Sequence, residues 1–178
     1  MRCAFYFNRI PIQGTINKSS AERAKQAITT VGQHAEMEIT ALGQLTKAGC
    51  SCTPTLFAWK QEKQESHMWI PGGFLVYILM EKLPGIRLDN VWSLDREERD
   101  EVRKSFKEAW EECRACGVIN MDRSCRNLLW DRAAKKCYIL DFEQWVRAKA
   151  RHKWDDGEYP SWDLAYWRCG DERGAMDL

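Results

Sequence analysis

Three polar residues around a short apolar hairpin have the types and spacing that phosphoryl transfer needs. Asp122 and Asn127 lie within the stretch NMDRSCRNLLWD, and Asp141 follows the apolar run CYIL. Carboxylate and amide oxygens are hard ligands suited to Mg²⁺, and a further carboxylate could accept a proton from a hydroxyl nucleophile. The alternative is that these residues only cap the turns of a hairpin, as Asp and Asn often do.

The predicted hairpin decides whether these residues can meet. NLLW and CYIL read as two strands joined by the polar turn DRAAKK. Because a hairpin returns the chain to its starting end, Asn127 and Asp141 should lie close together, with Asp122 on the same rim.

The elements before the hairpin alternate between helix and strand signals. Ser19 and Glu22 have capping-box spacing, and apolar residues at helical intervals continue to Val31. Gly32 predicts a break, after which the helical pattern resumes and stops before Gly49. TPTLFAWK and FLVYILME read as strands, and a helix capped by Ser93 should end with Gly117 in the C′ position.

In this order of elements the chain resembles the protein-kinase-like superfamily. The nearest branches are the divergent eukaryotic-like and aminoglycoside-phosphotransferase-like ones, particularly kinase-like proteins of filamentous fungi. NMDRSCRN is similar to the family's catalytic loop His-x-Asp-x4-Asn, and Asp141-Phe142-Glu143 to its Asp-Phe-Gly motif. MEKLPG resembles the hinge between the family's two lobes. The resemblance covers roughly residues 35 to 145.

The resemblance implies an α+β, protein-kinase-like fold with a reduced N-lobe sheet and a helical C-lobe. The whole chain, 1–178, would be one domain, with a partial N-lobe over 1–80, the hinge over 81–85 and a shortened C-lobe over 86–178. ATP and Mg²⁺ would be the cofactors, and the acceptor would be a hydroxyl on a protein or a small molecule.

The same resemblance assigns roles to single residues. Asp122 would be the catalytic base, and Asn127 and Asp141 the Mg²⁺ ligands. Met80 would border the adenine pocket, and backbone groups of Glu81 and Leu83 would bond the adenine edge. Glu38, with Glu36 as the rival candidate, would be the helix Glu that pairs with the family's strand Lys.

The chain departs from the family pattern in four places. No Gly-rich phosphate loop is visible, since Gly14 is the only glycine before Gly32, and no Val-Ala-x-Lys strand is visible. Asn120 stands in place of the catalytic-loop His, and Glu143 in place of the Gly after Asp-Phe. The sequence therefore leaves two functions open: a weakly active phosphotransferase, or a pseudokinase that binds nucleotide or protein as a regulatory module.

The chain is also short on both sides of the region that resembles the family. Only 37 residues follow Asp141, which leaves room for one or two helices. We expect a kinase core that is trimmed naturally, or a start at Met1 that was wrongly chosen within a longer gene.

Composition restricts the other possibilities. Hydrophobic residues make up 44% of the 178, enough for a core, and a net charge of +1 argues against a nucleic-acid binder. The longest apolar run is far too short to span a membrane and no signal peptide is visible, so we expect a cytoplasmic, intracellular protein.

The eight cysteines are then expected to be reduced. Cys50-x-Cys52 and Cys113-x-x-Cys116 could suggest zinc, which would make the chain a zinc-stabilised interaction domain. The first spacing is unusual for zinc, and we favour buried free thiols. The aromatic tail YPSWDLAYW is expected to pack on the core.

Overall fold

The computed structural model describes the backbone of residues 2–8, 15–167 and 176–177, and the side chains of residues 15–166. It is a mixed α/β structure with small antiparallel sheets and four helices in the described residues. The stretch FYFNRIP is the sequence's candidate for a remnant of the family's Lys-bearing strand, and its residues 9–11 lie outside the described residues.

The largest sheet has three antiparallel strands in the order β1-β3-β2. Their bounds are β1 Arg2–Asn8, β2 Leu56–Lys63 and β3 Phe74–Glu81. The central β3 alternates between buried and half-buried residues along most of its length, which its run of apolar and aromatic side chains allows. Both strands read from TPTLFAWK and FLVYILME are confirmed.

The first helix is shorter than the sequence pattern predicted. α1 spans Ser20–Ala24, and the Ser19 hydroxyl accepts a hydrogen bond from the Glu22 backbone N–H at 3.3 Å. The expected continuation to Val31 is wrong. The carbonyl of Ile28 accepts a hydrogen bond from the Phe74 N–H at 2.8 Å, so the start of β3 takes a backbone group that a helix would use.

Of the two longer helices, the first contacts this sheet through β2, and the second packs on strands further along the chain. α2 spans Gln33–Ala48, begins at Gly32 as predicted, and ends at Gly49. α3 spans Arg96–Ala115 and buries an apolar stripe made of Val102, Phe106, Ala109, Trp110 and Cys113. Its cap is Asp95, whose carboxylate accepts from the Glu98 N–H at 2.8 Å.

The prediction that Ser93 caps α3 is wrong because Ser93 closes a 3-10 turn instead. Its hydroxyl donates to the Asn90 carbonyl at 2.8 Å, within the turn Val91–Ser93. The predicted end of the helix is correct, with Gly117 at a φ of 89° just beyond the cap residue Cys116.

The hairpin predicted from NLLW and CYIL is confirmed. It consists of β6 and β7, and the short strand β4 pairs with the outer edge of β6. A second pair, β5 with β8, lies on either side of the hairpin in sequence. The bounds are β4 Ile86–Arg87, β5 Val118–Asn120, β6 Leu128–Asp131, β7 Lys136–Ile139 and β8 Trp145–Arg147.

The turn LPG brings the chain from β3 to the hairpin. Gly85 has a φ of 109°, and a Cβ there would lie 2.5 Å from the carbonyl oxygen of Trp130. Only glycine fits both the backbone conformation and this close approach. The segment predicted as a hinge therefore lies directly against β6.

The C-terminal aromatic residues cover α3. The bounds of the remaining elements are α4 Glu158–Ser161, β9 Tyr166–Trp167 and β10 Met176–Asp177. Trp162 is fully buried against Phe106, with ring centroids 5.1 Å apart, and Trp154 packs on Trp110 at 5.4 Å. These contacts confirm the expected core packing of the tail. Among the helices described, none is long and apolar enough to cross a membrane.

Candidate active site

Asn120 joins the loop that carries Asp122 to the end of the hairpin. It is 4% exposed at the end of β5, and its Nδ2 donates to the carbonyls of Leu140 at 3.1 Å and Asp141 at 2.8 Å. Its Oδ1 accepts from the Asp122 backbone N–H at 2.8 Å. One buried side chain thus fixes the backbone of Asp122 relative to the backbone of Asp141.

Asn127 fixes the Asp122 side chain. Its Nδ2 donates to the Asp122 carbonyl and to Asp122 Oδ2, at 2.9 Å each. The Asn127 backbone carbonyl accepts from the Leu140 N–H at 2.8 Å, which is the hairpin contact that the sequence predicted. Since Nδ2 makes both side-chain bonds, Oδ1 is the atom that Asn127 can offer to a cation.

Asp141 follows β7 in a left-handed backbone conformation, with a φ of 59°. Its half-buried carboxylate accepts a long hydrogen bond, 3.4 Å, from the Glu143 N–H. Burial raises the pKa of Asp141, and the charge of Asp122 adds to this, while Arg126 and Arg87 oppose it. A bound cation would neutralise the carboxylates of Asp122 and Asp141 and so stabilise their charged forms.

Glu38 lies on α2, and its side chain contacts the backbone just after Asp141. It is 5% exposed, and its Oε2 accepts a hydrogen bond from the Phe142 backbone N–H. Burial, followed by the charge of Asp141, raises the pKa of Glu38 to about 8. Within residues 15–166 no Lys or Arg forms an ion pair with it, whereas the rival candidate Glu36 is exposed.

Asn127, Asp141 and Glu38 line one cleft of about 170 Å³, and Asp122 reaches its edge through the hydrogen bond from Asn127. The apolar lining includes Met80, which the sequence predicted to border an adenine pocket, and the polar lining includes Asn127, Asp141 and Glu38. The lining residues are Glu38, Pro54, Met80, Arg87, Arg126, Asn127, Leu140, Asp141 and Glu143.

Two arginines in the cleft were not found by sequence reasoning. Arg87 donates through Nη2 to the Arg126 carbonyl at 2.9 Å, and Arg126 Nη2 lies 3.7 Å from Asp122 Oδ1. Their guanidinium groups suit phosphate oxygens. No motif marks them, because β4 and the loop approach each other only in the folded chain. A larger cavity of about 470 Å³ lies beside Trp69 and Tyr77, away from the Asp122–Asn127 pair.

The two predicted hinge residues lie at the end of β3 and just beyond it. Thr55 donates through its hydroxyl to Glu81 Oε2 at 2.8 Å, and the Glu81 backbone N–H donates to the Thr55 carbonyl at 2.9 Å. The Glu81 N–H is therefore already bonded to Thr55. Leu83 is half-buried in the connection to β4.

Glu143 forms a second contact between the Asp141 segment and α2. Its Oε2 lies 3.2 Å from His34 Nδ1. The residue that departs from the family's Gly is thus held by the start of the helix that carries Glu38.

No family model and no curated protein sequence matches the chain. Among solved structures it is similar to WbdD. The 2.2 Å crystal structure of WbdD has a TM-score of 0.56 at 19% identity, over 85% of this chain and 30% of WbdD. A further structure of WbdD, a bifunctional kinase-methyltransferase, gives 0.55 at 20%, over 86% and 29%. WbdD crystallised with the kinase inhibitor LY294002 gives 0.50 at 20%, over 84% and 30%.

The chain therefore spans about 30% of the length of WbdD. At this identity the likeness concerns the fold alone, and it supports a kinase-like fold for this chain.

Proposed function

We propose that the chain is a kinase-like phosphotransferase domain that transfers a phosphoryl group from ATP to a hydroxyl on a protein or small molecule. The observation that carries the proposal is the pair of 2.9 Å hydrogen bonds to Asp122 from Asn127 Nδ2, together with the cleft that Asn127 and Asp141 line. The likeness to WbdD, a kinase-methyltransferase that also binds a kinase inhibitor, supports the same function.

Five polar residues in or beside the cleft have a role in this proposal. Asn127 Oδ1 and the Asp141 carboxylate hold Mg²⁺, which supplies neutralisation of the phosphate charge. Asp122, whose carboxylate is oriented by Asn127, accepts the proton of the acceptor hydroxyl. Arg87 and Arg126 neutralise phosphate oxygens.

The apolar side of the cleft binds the base. Met80 and Pro54 pack against the adenine ring, and backbone groups of Glu81 and Leu83 bond its edge. In this arrangement residues 1–80 form the partial N-lobe, 81–85 the hinge and 86–178 the shortened C-lobe. We expect slow turnover, because catalysis of this kind depends mostly on positioning and electrostatics, and the chain shows no Gly-rich loop to hold the phosphates.

One observation favours a second function, a pseudokinase that binds nucleotide without transferring phosphate. Glu38 bonds the Phe142 N–H, and no basic side chain pairs with it in the described part of the chain. In this arrangement the helix glutamate stabilises the Asp141 segment instead of positioning a phosphate-binding Lys.

A turnover assay separates the two functions. Radiolabelled ATP and Mg²⁺ are incubated with wild type, Asp122→Asn and the control Asp156→Asn. Asp156 is an exposed acid whose Oδ1 accepts from Trp154 Nε1, a bond that Asn preserves. The phosphotransferase proposal predicts ATP turnover in wild type and in the control, with a fall of at least about a hundredfold in Asp122→Asn. Equal background rates in all three proteins would leave only the pseudokinase.

A further inference from the structure

Three cysteine thiols from two distant parts of the chain lie together near the C-terminal end of α3. Cys50 and Cys52 follow α2, and Cys113 lies in the last turn of α3. The Sγ–Sγ distances are 3.4 Å for Cys50–Cys52, 3.6 Å for Cys52–Cys113 and 4.0 Å for Cys50–Cys113. The three form the one cluster of possible metal ligands found in the described residues.

These distances fit a tetrahedral metal centre. With Zn–S bonds of about 2.3 Å, the sulfurs of a tetrahedron lie about 3.8 Å apart. A disulfide requires about 2.05 Å, and a bond between any two of the thiols would pull them away from the third. Three sulfurs at nearly equal separations, two of them buried, are arranged as three corners of such a tetrahedron.

Cys116, which is not one of the three clustered thiols, is the candidate for the fourth corner. It is the cap residue of α3, three positions after Cys113, so the pair has the Cys-x-x-Cys spacing of zinc sites.

The ligand-bearing segments are held by contacts that need no metal. The Ser51 N–H and hydroxyl donate to the two carboxylate oxygens of Glu112 at 2.6 and 3.1 Å, and Lys136 Nζ donates to Ser51 Oγ at 3.0 Å. Gln44 of α2 donates through Nε2 to the Cys116 carbonyl at 2.8 Å. The site is thus preorganised, which lowers the entropy lost when a metal binds.

The position is also electrostatically suited to a cation. Cys50 follows the C-terminus of α2, and Cys116 caps the C-terminus of α3. Helix C-termini carry partial negative charge, which favours a bound cation and disfavours unneutralised thiolates. A bound divalent ion would therefore offset the electrostatic repulsion between adjacent thiolates at this position.

We propose that Cys50, Cys52, Cys113 and Cys116 form a structural Zn²⁺ site that ties the end of α2 to the end of α3. The site also reaches the candidate active site, because the Cys52 carbonyl accepts from the Ile139 N–H at 2.9 Å, two residues before Asp141. Zinc would then hold α2, which carries Glu38, against the hairpin that carries Asp141. The proposal does not depend on phosphotransfer.

The test is the metal content of the full chain, expressed with zinc and purified under reducing conditions. We expect about one zinc ion per chain, released when a mercurial reagent reacts with the thiols. Cys52→Ser should retain less than about a tenth of it, whereas Cys137→Ala, which removes a buried thiol outside the cluster, should keep all of it.

A second measurement on the wild type covers the case in which Cys52→Ser does not fold. Co²⁺ added to the metal-free chain should give the thiolate charge-transfer band and the intense visible bands of a tetrahedral sulfur site. Wild type without zinc and without these bands, or a disulfide between cluster cysteines in the native protein, would overturn the proposal. Equal zinc in Cys52→Ser and wild type would overturn it as well.

Discussion

Asn120 offers the sharpest test of how the candidate site is held together. It stands where the kinase family has a His, and the structure gives it three hydrogen bonds: to the carbonyls of Leu140 and Asp141, and from the Asp122 N–H. We predict that Asn120→Ala loosens the loop and the hairpin end together.

The magnitude follows from these contacts. A hydrogen bond contributes about 0.5–1.5 kcal/mol net, and leaving a buried partner without one costs about 1–3 kcal/mol. Asn120 is 4% exposed, so its three partners are poorly placed to find water after truncation. We therefore expect Asn120→Ala to lower the free energy of unfolding by about 3 kcal/mol. Asn120→His should recover part of this loss, because a neutral imidazole offers one donor and one acceptor.

Urea unfolding followed by tryptophan fluorescence measures this change. The control is Asn90→Ala, since Asn90 is exposed and its side chain makes no cap hydrogen bond. It should change stability by no more than about 0.5 kcal/mol. If Asn120→Ala were as stable as Asn90→Ala, Asn120 would not be the residue that joins Asp122 to Asp141.

Two further predictions concern buried groups. In the metal-free protein the pKa of Glu38 is raised from 4.5 to about 8, so the folded state binds the extra proton and stability falls as pH rises between these values. Glu38→Gln should then raise the free energy of unfolding at pH 7 by roughly 3 kcal/mol and leave it unchanged below pH 4.5. The control Glu36→Gln, at an exposed residue, should change it little. Denaturant unfolding at several pH values measures both variants. Phe106→Ala should cost about 3–5 kcal/mol of unfolding free energy, because Phe106 is fully buried against Trp162. Phe57→Ala, at a residue 45% exposed, should cost clearly less in the same denaturation assay, and equal losses would contradict the assigned core.

Local patterns predicted the elements whose signals are strong and continuous. β3 was read at its observed bounds because FLVYILME is an unbroken run between a Gly pair and a Pro-Gly turn. The hairpin was predictable because two apolar segments flank a polar turn. The predicted hairpin in turn places Asn127 near the end of β7.

Other features depend on contacts between distant residues, which spacing does not encode. α1 stops early because the sheet binds the Ile28 carbonyl, and Asp95 caps α3 because Ser93 already bonds Asn90. The sequence showed Asn120 only as a replacement for the catalytic-loop His, because its hydrogen bond to the Leu140 carbonyl joins residues twenty positions apart. Nothing in the Cys50-x-Cys52 spacing showed that Cys113 would lie beside it.

The most direct test of the central claim is calorimetric titration of the chain with ATP, with and without Mg²⁺. The comparison uses wild type, Asp141→Asn and the control Asp156→Asn. Asn tolerates the left-handed backbone of position 141, so the substitution changes the carboxylate without adding strain. We predict Mg²⁺-dependent ATP binding in wild type and the control, weakened at least about tenfold in Asp141→Asn, which is about 1.4 kcal/mol. ATP binding that is absent, or equally strong without Mg²⁺ and in Asp141→Asn, would contradict the account.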